Sequence, residues 1–181
     1  MYTYSILIRG INVGGKNKIP MAGLRQCLED LGFSDVMTYI ASGNAILRSE
    51  RSADAVARLI EVALPKNFRL DSELVRVLVL SQAKLRSVIE QKPEGFGEQP
   101  EKYHSDVIFL MGIDAPQALS VFNPREGVDR VWPGKGVIYS ERLSALRTRS
   151  RLSRIAGTPE YRSMTIRNWN TTTKLLAMLE Q

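Results

Sequence analysis

Three groups of residues in this 181-residue chain have types and spacing suited to chemistry, and all three suit anions. The first is Arg9-Gly10-Ile11-Asn12-Val13-Gly14-Gly15-Lys16-Asn17-Lys18, directly after the apolar run Tyr4–Ile8. Its glycines allow positive φ and close approach of backbone to a ligand, while Arg9, Lys16 and Lys18 supply positive charge. The second is an arginine run: Arg142, Arg147, Arg149, Arg151 and Arg154 occur with no acid among them. Arg147, Arg151 and Arg154 recur at helical spacing and would share one face. The third is Arg167-Asn168-Trp169-Asn170-Thr171-Thr172-Thr173-Lys174. There Asn170 is expected to cap a helix with Trp169 as hydrophobic staple, which leaves Arg167 and Asn168 beside free amides and the positive end of the dipole.

The expected anion-binding set is therefore Arg9, Gly10, Asn12, Gly14, Gly15, Lys16, Asn17 and Lys18 with Arg149, Arg151, Arg154, Arg167, Asn168 and Asn170. Ser42 and Asn44 of the turn Ser42-Gly43-Asn44 join it with less weight, because the glycine loop and this turn are expected at opposite ends of one sheet. The functional expectation is that motifs from the two halves meet in a single electropositive hollow. The phosphate-loop spacing Gly-x-x-x-x-Gly-Lys nearly fits Gly10, Gly15 and Lys16, but Asn17 stands where a hydroxyl should meet magnesium. Pro20 also delays the helix past the lysine, so a nucleotide triphosphatase is not expected.

Charge supports an anionic partner. Residues 1–122 carry fourteen basic and fourteen acidic side chains, whereas residues 123–181 carry eleven against five, so the last third holds the whole +6 excess. Crowded like charges repel unless something anionic relieves them. The single cysteine, Cys27, excludes an internal disulfide and reads as a small core residue; one histidine, His104, leaves no imidazole cluster for zinc. No metal or cofactor is called for. No long apolar run or secretion signal is visible, which points to a reduced, cytoplasmic protein without a membrane partner.

The elements that must position these groups read as follows. Tyr2–Arg9 is a strand, and Pro20 starts a helix through Met21, Leu24, Leu28 and Leu31 that Gly32 stops. Asp35–Ile40 and Asn44–Ser49 form a hairpin. Ser52 caps a helix bearing Val56, Leu59, Ile60 and Ala63 that ends at Pro65, and Glu73–Leu80 is a strand. This is the β-α-β-β-α-β order of a ferredoxin-like unit. A connecting helix from Ser81 to about Gln91 and a linker-like loop from Pro93 to Glu101 follow. Strand Ser105–Met111, helix Ala115–Phe122, strands Gly127–Trp132 and Gly136–Ser140, helix Ser144–Ala156, strand Arg162–Arg167 and a terminal helix repeat the order. The expected class is α+β: two tandem ferredoxin-like units with an added C-terminal helix, divided as 1–80, a connector over 81–102, and 103–181.

Four dispersed motifs carry a family resemblance: Arg9–Asn17, Thr38-Tyr39-Ile40-Ala41-Ser42-Gly43-Asn44, Ser153-Arg154-Ile155 with Gly157-Thr158, and Arg167-Asn168-Trp169-Asn170-Thr171. With them the chain resembles, from about Ile6 to Leu176, the bacterial family catalogued as domain of unknown function 1697. The resemblance implies a cytoplasmic α+β protein of two ferredoxin-like parts and brings no catalytic residues.

Three functions compete. Binding of a phosphate-bearing partner, such as nucleic acid or a nucleotide, leads. The third strand, Asn44–Arg48, has no aromatic residue for stacking bases, so sequence-specific reading by that face is not expected. The alternative is an enzyme on a small phosphorylated or carboxylated metabolite, with Arg9, Lys16 and Arg167 as clamp and Asn12 and Asn168 orienting it. Its only acid–base pair is His104 with Asp106, two residues apart on one strand face and away from the other motifs. An interaction module has no positive support.

Overall fold

The computed structural model describes residues 1–71 and 75–181, and the chain divides into two units, residues 1–85 with 175–181 and residues 86–174. In the first, β1 (Tyr2–Arg9), α1 (Met21–Asp30), β2 (Ser34–Tyr39), β3 (Asn44–Ser49), α2 (Ala53–Asn67) and β4 (Arg76–Ser81) follow the expected order. The start of the expected fourth strand, Glu73 and Leu74, lies outside the described residues. The strands form an antiparallel sheet in the order β2-β3-β1-β4, the ferredoxin-like arrangement. Alternation places Ile6, Ile8, Ala45, Leu47, Val77 and Val79 beneath the two helices, against Leu24, Leu28, Val56 and Ile60, and this layer is closed. Ser52 Oγ accepts from the Ala55 amide as the cap of α2. That helix runs two residues beyond Pro65, because a proline in the last turn forfeits a single internal bond while Asn67 Nδ2 donates to the Ala63 carbonyl (2.8 Å).

The order corrects one expectation. β3 lies antiparallel between β1 and β2, so those two run the same way and end at the same edge of the sheet. The glycine loop after β1 and the β2–β3 turn therefore meet there, and the Ile8 amide donates to the Gly43 carbonyl at 2.8 Å.

After α3 (Gln82–Glu90), the second unit places β5 (Tyr103–Leu110), α4 (Ala115–Leu119), β6 (Asp129–Gly134), β7 (Val137–Leu143) and β8 (Met164–Asn168), with sheet order β6-β7-β5-β8, and α5 (Trp169–Leu179) starts in this unit and ends in the segment 175–181 of the first. The helix expected over Ser144–Ala156 is replaced by 3-10 turns at Ser144–Arg149 and Leu152–Gly157, and a third follows at Pro159–Ser163. Ser150 is extended, and the Arg151 amide donates to Asp129 Oδ2 (2.8 Å), so a long-range carboxylate takes a donor that a helix would use internally.

The stretch from Pro93 to Glu101 is no slack linker. Phe96 is fully buried, edge-on to Trp132, Tyr139 and Trp169. Glu141, 1% exposed, accepts from the Gly97 amide, Ser105 Oγ and Arg130 Nη2 at 2.7–2.8 Å and ties the loop to the sheet. A Cβ on Gly97 would run into the indole of Trp169.

Candidate functional site

In the first unit, ten of the expected residues gather at one end of the sheet. Val13 to Lys16 is a two-residue turn: the Lys16 amide bonds the Val13 carbonyl (3.0 Å), and Gly14 and Gly15 sit at φ +59° and +76°. Both central residues with positive φ define the type I′ turn, which explains this pair of glycines. The asparagines hold the loop. Asn12 Nδ2 donates to the carbonyls of Ile19 (2.9 Å) and Ala41 (2.8 Å), and Asn12 Oδ1 accepts from the Ile19 amide. Asn17 Nδ2 donates to the Gly10 carbonyl, and Asn17 and Asp71 exchange side-chain-to-amide bonds at 2.6–2.7 Å. Asn44 Nδ2 donates to the Tyr39 carbonyl and Ser42 Oγ. The side chains of Asn12, Asn17 and Asn44 are thus braces, contrary to their expected role at an anion.

Asn17 is buried, and its anchoring turns Lys16 and Lys18 outward, where both are exposed. Arg9 ends β1 opposite Arg76, half-buried. Beside the turn is an open depression of about 410 Å³ lined by Asn12, Lys18, Ile19, Pro20, Met21 and Ala41. Ile40, on the adjoining turn, is half exposed at φ +46°, a region that β-branched residues rarely enter. No helix begins at Lys16; α1 starts at Met21 with Pro20 as its cap residue.

In the second unit the cations separate. Arg149 and Arg154 are exposed on the 3-10 turns, as is Arg147, while Arg151 is half-buried, so the shared helical face does not form. Arg167 is turned inward, 7% exposed, with Nη1 donating to Thr165 Oγ1 (3.0 Å) and the Ile166 carbonyl (2.8 Å). Burial lowers its pKa to about 10. It is therefore a poor surface clamp. Asn168, not Asn170, caps α5: its Oδ1 accepts from the Thr171 amide at 2.8 Å.

His104 is less isolated than expected. Its Nε2 lies 3.0 Å from Asp106 Oδ1, and it lines a hollow of about 90 Å³ with Gly97, Tyr103, Asn168, Trp169 and Asn170. A second hollow, about 220 Å³, opens over the sheet beside Asp106, Ser140 and Arg142 and was not foreseen. Asp106, Ser140 and Arg142 share one face of the β5–β7 pair with His104, a grouping set by the strand register.

These features define a protein of two ferredoxin-like units, the first with a braced cationic turn and the second with hollows over its sheet. The model of the family described as "Protein of unknown function (DUF1697)" matches residues 1–139, and the chain belongs to that family. The motifs at Ser153–Thr158 and Arg167–Thr171 lie beyond the matched stretch. No curated protein matches. Among solved structures, the conserved bacterial protein SP0830 from Streptococcus pneumoniae is similar over 100% of this chain and 99% of its own, with 27% identity and a TM-score of 0.82. Among the described residues, no helix is long and apolar enough to cross a membrane.

Proposed function

We propose that the protein binds a phosphate-bearing ligand, nucleic acid being the leading class, through Lys16 and Lys18 of the glycine turn and the exposed arginines of residues 147–154. The observation that carries this reading is the bracing of the turn. Asn12, Asn17 and Asp71 fix a loop whose only outward charged groups are two lysines, so little order is lost when they meet phosphate. Ile40 supports it, since backbone strain persists where structure over-determines it and clusters at binding surfaces. The two cationic sets need not form one surface.

Anisotropy of a labelled single-stranded oligonucleotide at two salt concentrations tests it. Binding should weaken with salt, and a K16A/K18A variant should flatten the log–log slope by about 1.4, from roughly 0.7 per phosphate contact. No binding at low salt refutes it.

A second reading, an enzyme acting on a small phosphorylated or carboxylated metabolite, is favoured by the His104–Asp106 pair. If Nε2 donates to Asp106, Nδ1 is left as a base, beside Asn168 and Asn170. A thermal-shift screen of nucleotides and sugar phosphates should then show a hit that His104→Gln abolishes; a uniformly flat screen rejects this reading.

A further inference from the structure

In a ferredoxin-like unit the connection from the third to the fourth strand covers the sheet with a helix. In the second unit that cover is three 3-10 turns, and between them and the sheet lies the hollow of about 220 Å³. Asp106, Ser140 and Arg142 line it on the sheet, with Phe122, Ala156 and Tyr161 around them. Most of this lining is apolar, and only Asp106 and Arg142 carry charge.

The polar groups sit where the fold asks for apolar ones. Three residues back from the hairpin end, β1 and β3 pair Tyr4 with Leu47, both buried in the first core. The corresponding pair on β5 and β7 is Asp106 with Ser140. Ser140 is 3% exposed and lines the hollow beside Asp106. Asp106 Oδ1 meets His104, but Oδ2 lies 3.8 Å from Arg142 Nη1, too long for a hydrogen bond, so both groups keep unused capacity toward the hollow.

We propose that this hollow is a binding site for a small, uncharged, planar heterocycle with adjacent N–H and C=O groups, the chemistry of a nucleobase edge. Asp106 Oδ2 accepts the N–H, Arg142 donates to the carbonyl, and Ser140 supplies the third polar contact. The head is uncharged because Asp106 and Arg142 already neutralise one another: a carboxylate is opposed by the first and an ammonium by the second. Size agrees, since a cavity of ~150 Å³ holds benzene, and the space here admits one ring with its polar substituents. Phe122 and Tyr161 supply aromatic walls. The proposal does not depend on the reading given to the lysine turn.

Titration of the full chain, followed by amide chemical shifts, with cytosine, uracil and hypoxanthine as probes and benzoate and benzylamine as charged controls, tests the proposal. At least one base should give saturable shifts around residues 106, 140, 142 and 153–156 and bind at least about tenfold tighter than either control, an advantage worth one good polar contact. Asp106→Asn should erase that advantage. Ala156→Trp, at an exposed position on the rim, should block binding while the melting temperature is kept, so a folding defect in the first variant leaves the second decisive. No shifts with any base, shifts elsewhere in the chain, or preference for benzoate would overturn it.

Discussion

In the first unit the sheet lies under the fifteen residues of α2, whose Val56, Ile60, Ala63 and Leu64 fill the space above β1, β3 and β4. In the second, residues 144–163 cross the equivalent face as three 3-10 turns, with Leu152 and Ile155 as their buried apolar residues. Strand order is the same, and β1–β3 and β5–β7 pair in corresponding register, while β2 carries an irregularity against β3 that β6 lacks against β7; yet one layer is closed and the other hollow with a polar floor. Strand pairing sets this fold, while the crossover between the third and fourth strands decides whether the face of the sheet is filled or hollow. The hairpins differ too. The β2–β3 turn holds Ile40 at φ +46°, whereas the β6–β7 turn places Gly136 at φ +72°, where glycine is unstrained.

Truncation of the two roofs should separate them most widely. Ile60→Ala removes a fully buried side chain from a close-packed layer and should cost about 3–5 kcal/mol, whereas Ile155→Ala borders existing space and should cost about 2 kcal/mol or less, both read by urea denaturation. Equal losses would remove the distinction. Alkaline titration probes the other face of the second sheet. There Tyr139 is buried, donates its hydroxyl to the Val88 carbonyl, and has its pKa pushed up to about 12 by burial. Between pH 10 and 12 the unfolded chain releases a proton that the folded chain keeps, so stability should fall as pH rises through that window, by on the order of 2 kcal/mol. Tyr139→Phe should flatten this slope. The smallest effect concerns the strained turn: Ile40→Asn, a residue that tolerates the left-handed region, should stabilise by about 1 kcal/mol, seen as a raised denaturation midpoint.

The strands and most helices were legible because their signals are local. Pro20 and Gly32 bracket α1, Ser52 caps α2, and the apolar stripe of Val56, Ile60 and Ala63 has helical period. Over residues 144–156 the arginines carry helical spacing, while Ser150 and the distant Asp129 impose a break that no neighbouring residue announces. The same limit applies to the sites. Lys16 and Lys18 were legible as charges on a glycine loop, but the bracing by Asp71, 54 residues beyond Asn17, was not. The hollow beside Asp106 required knowing that Ser140 and Arg142 share its face, which only the pairing of β5 with β7 reveals.

Both tryptophans of the chain, Trp132 and Trp169, lean on the single ring of Phe96. Indole emission is therefore a private optical gauge of residues 86–174, blind to events confined to the lysine turn, while far-ultraviolet circular dichroism sums every helix and strand. Melting curves recorded by the two signals will superimpose when the halves lose structure as one cooperative body and part company when they do not. The wild-type chain thus carries, without any label, the means to time its two parts separately.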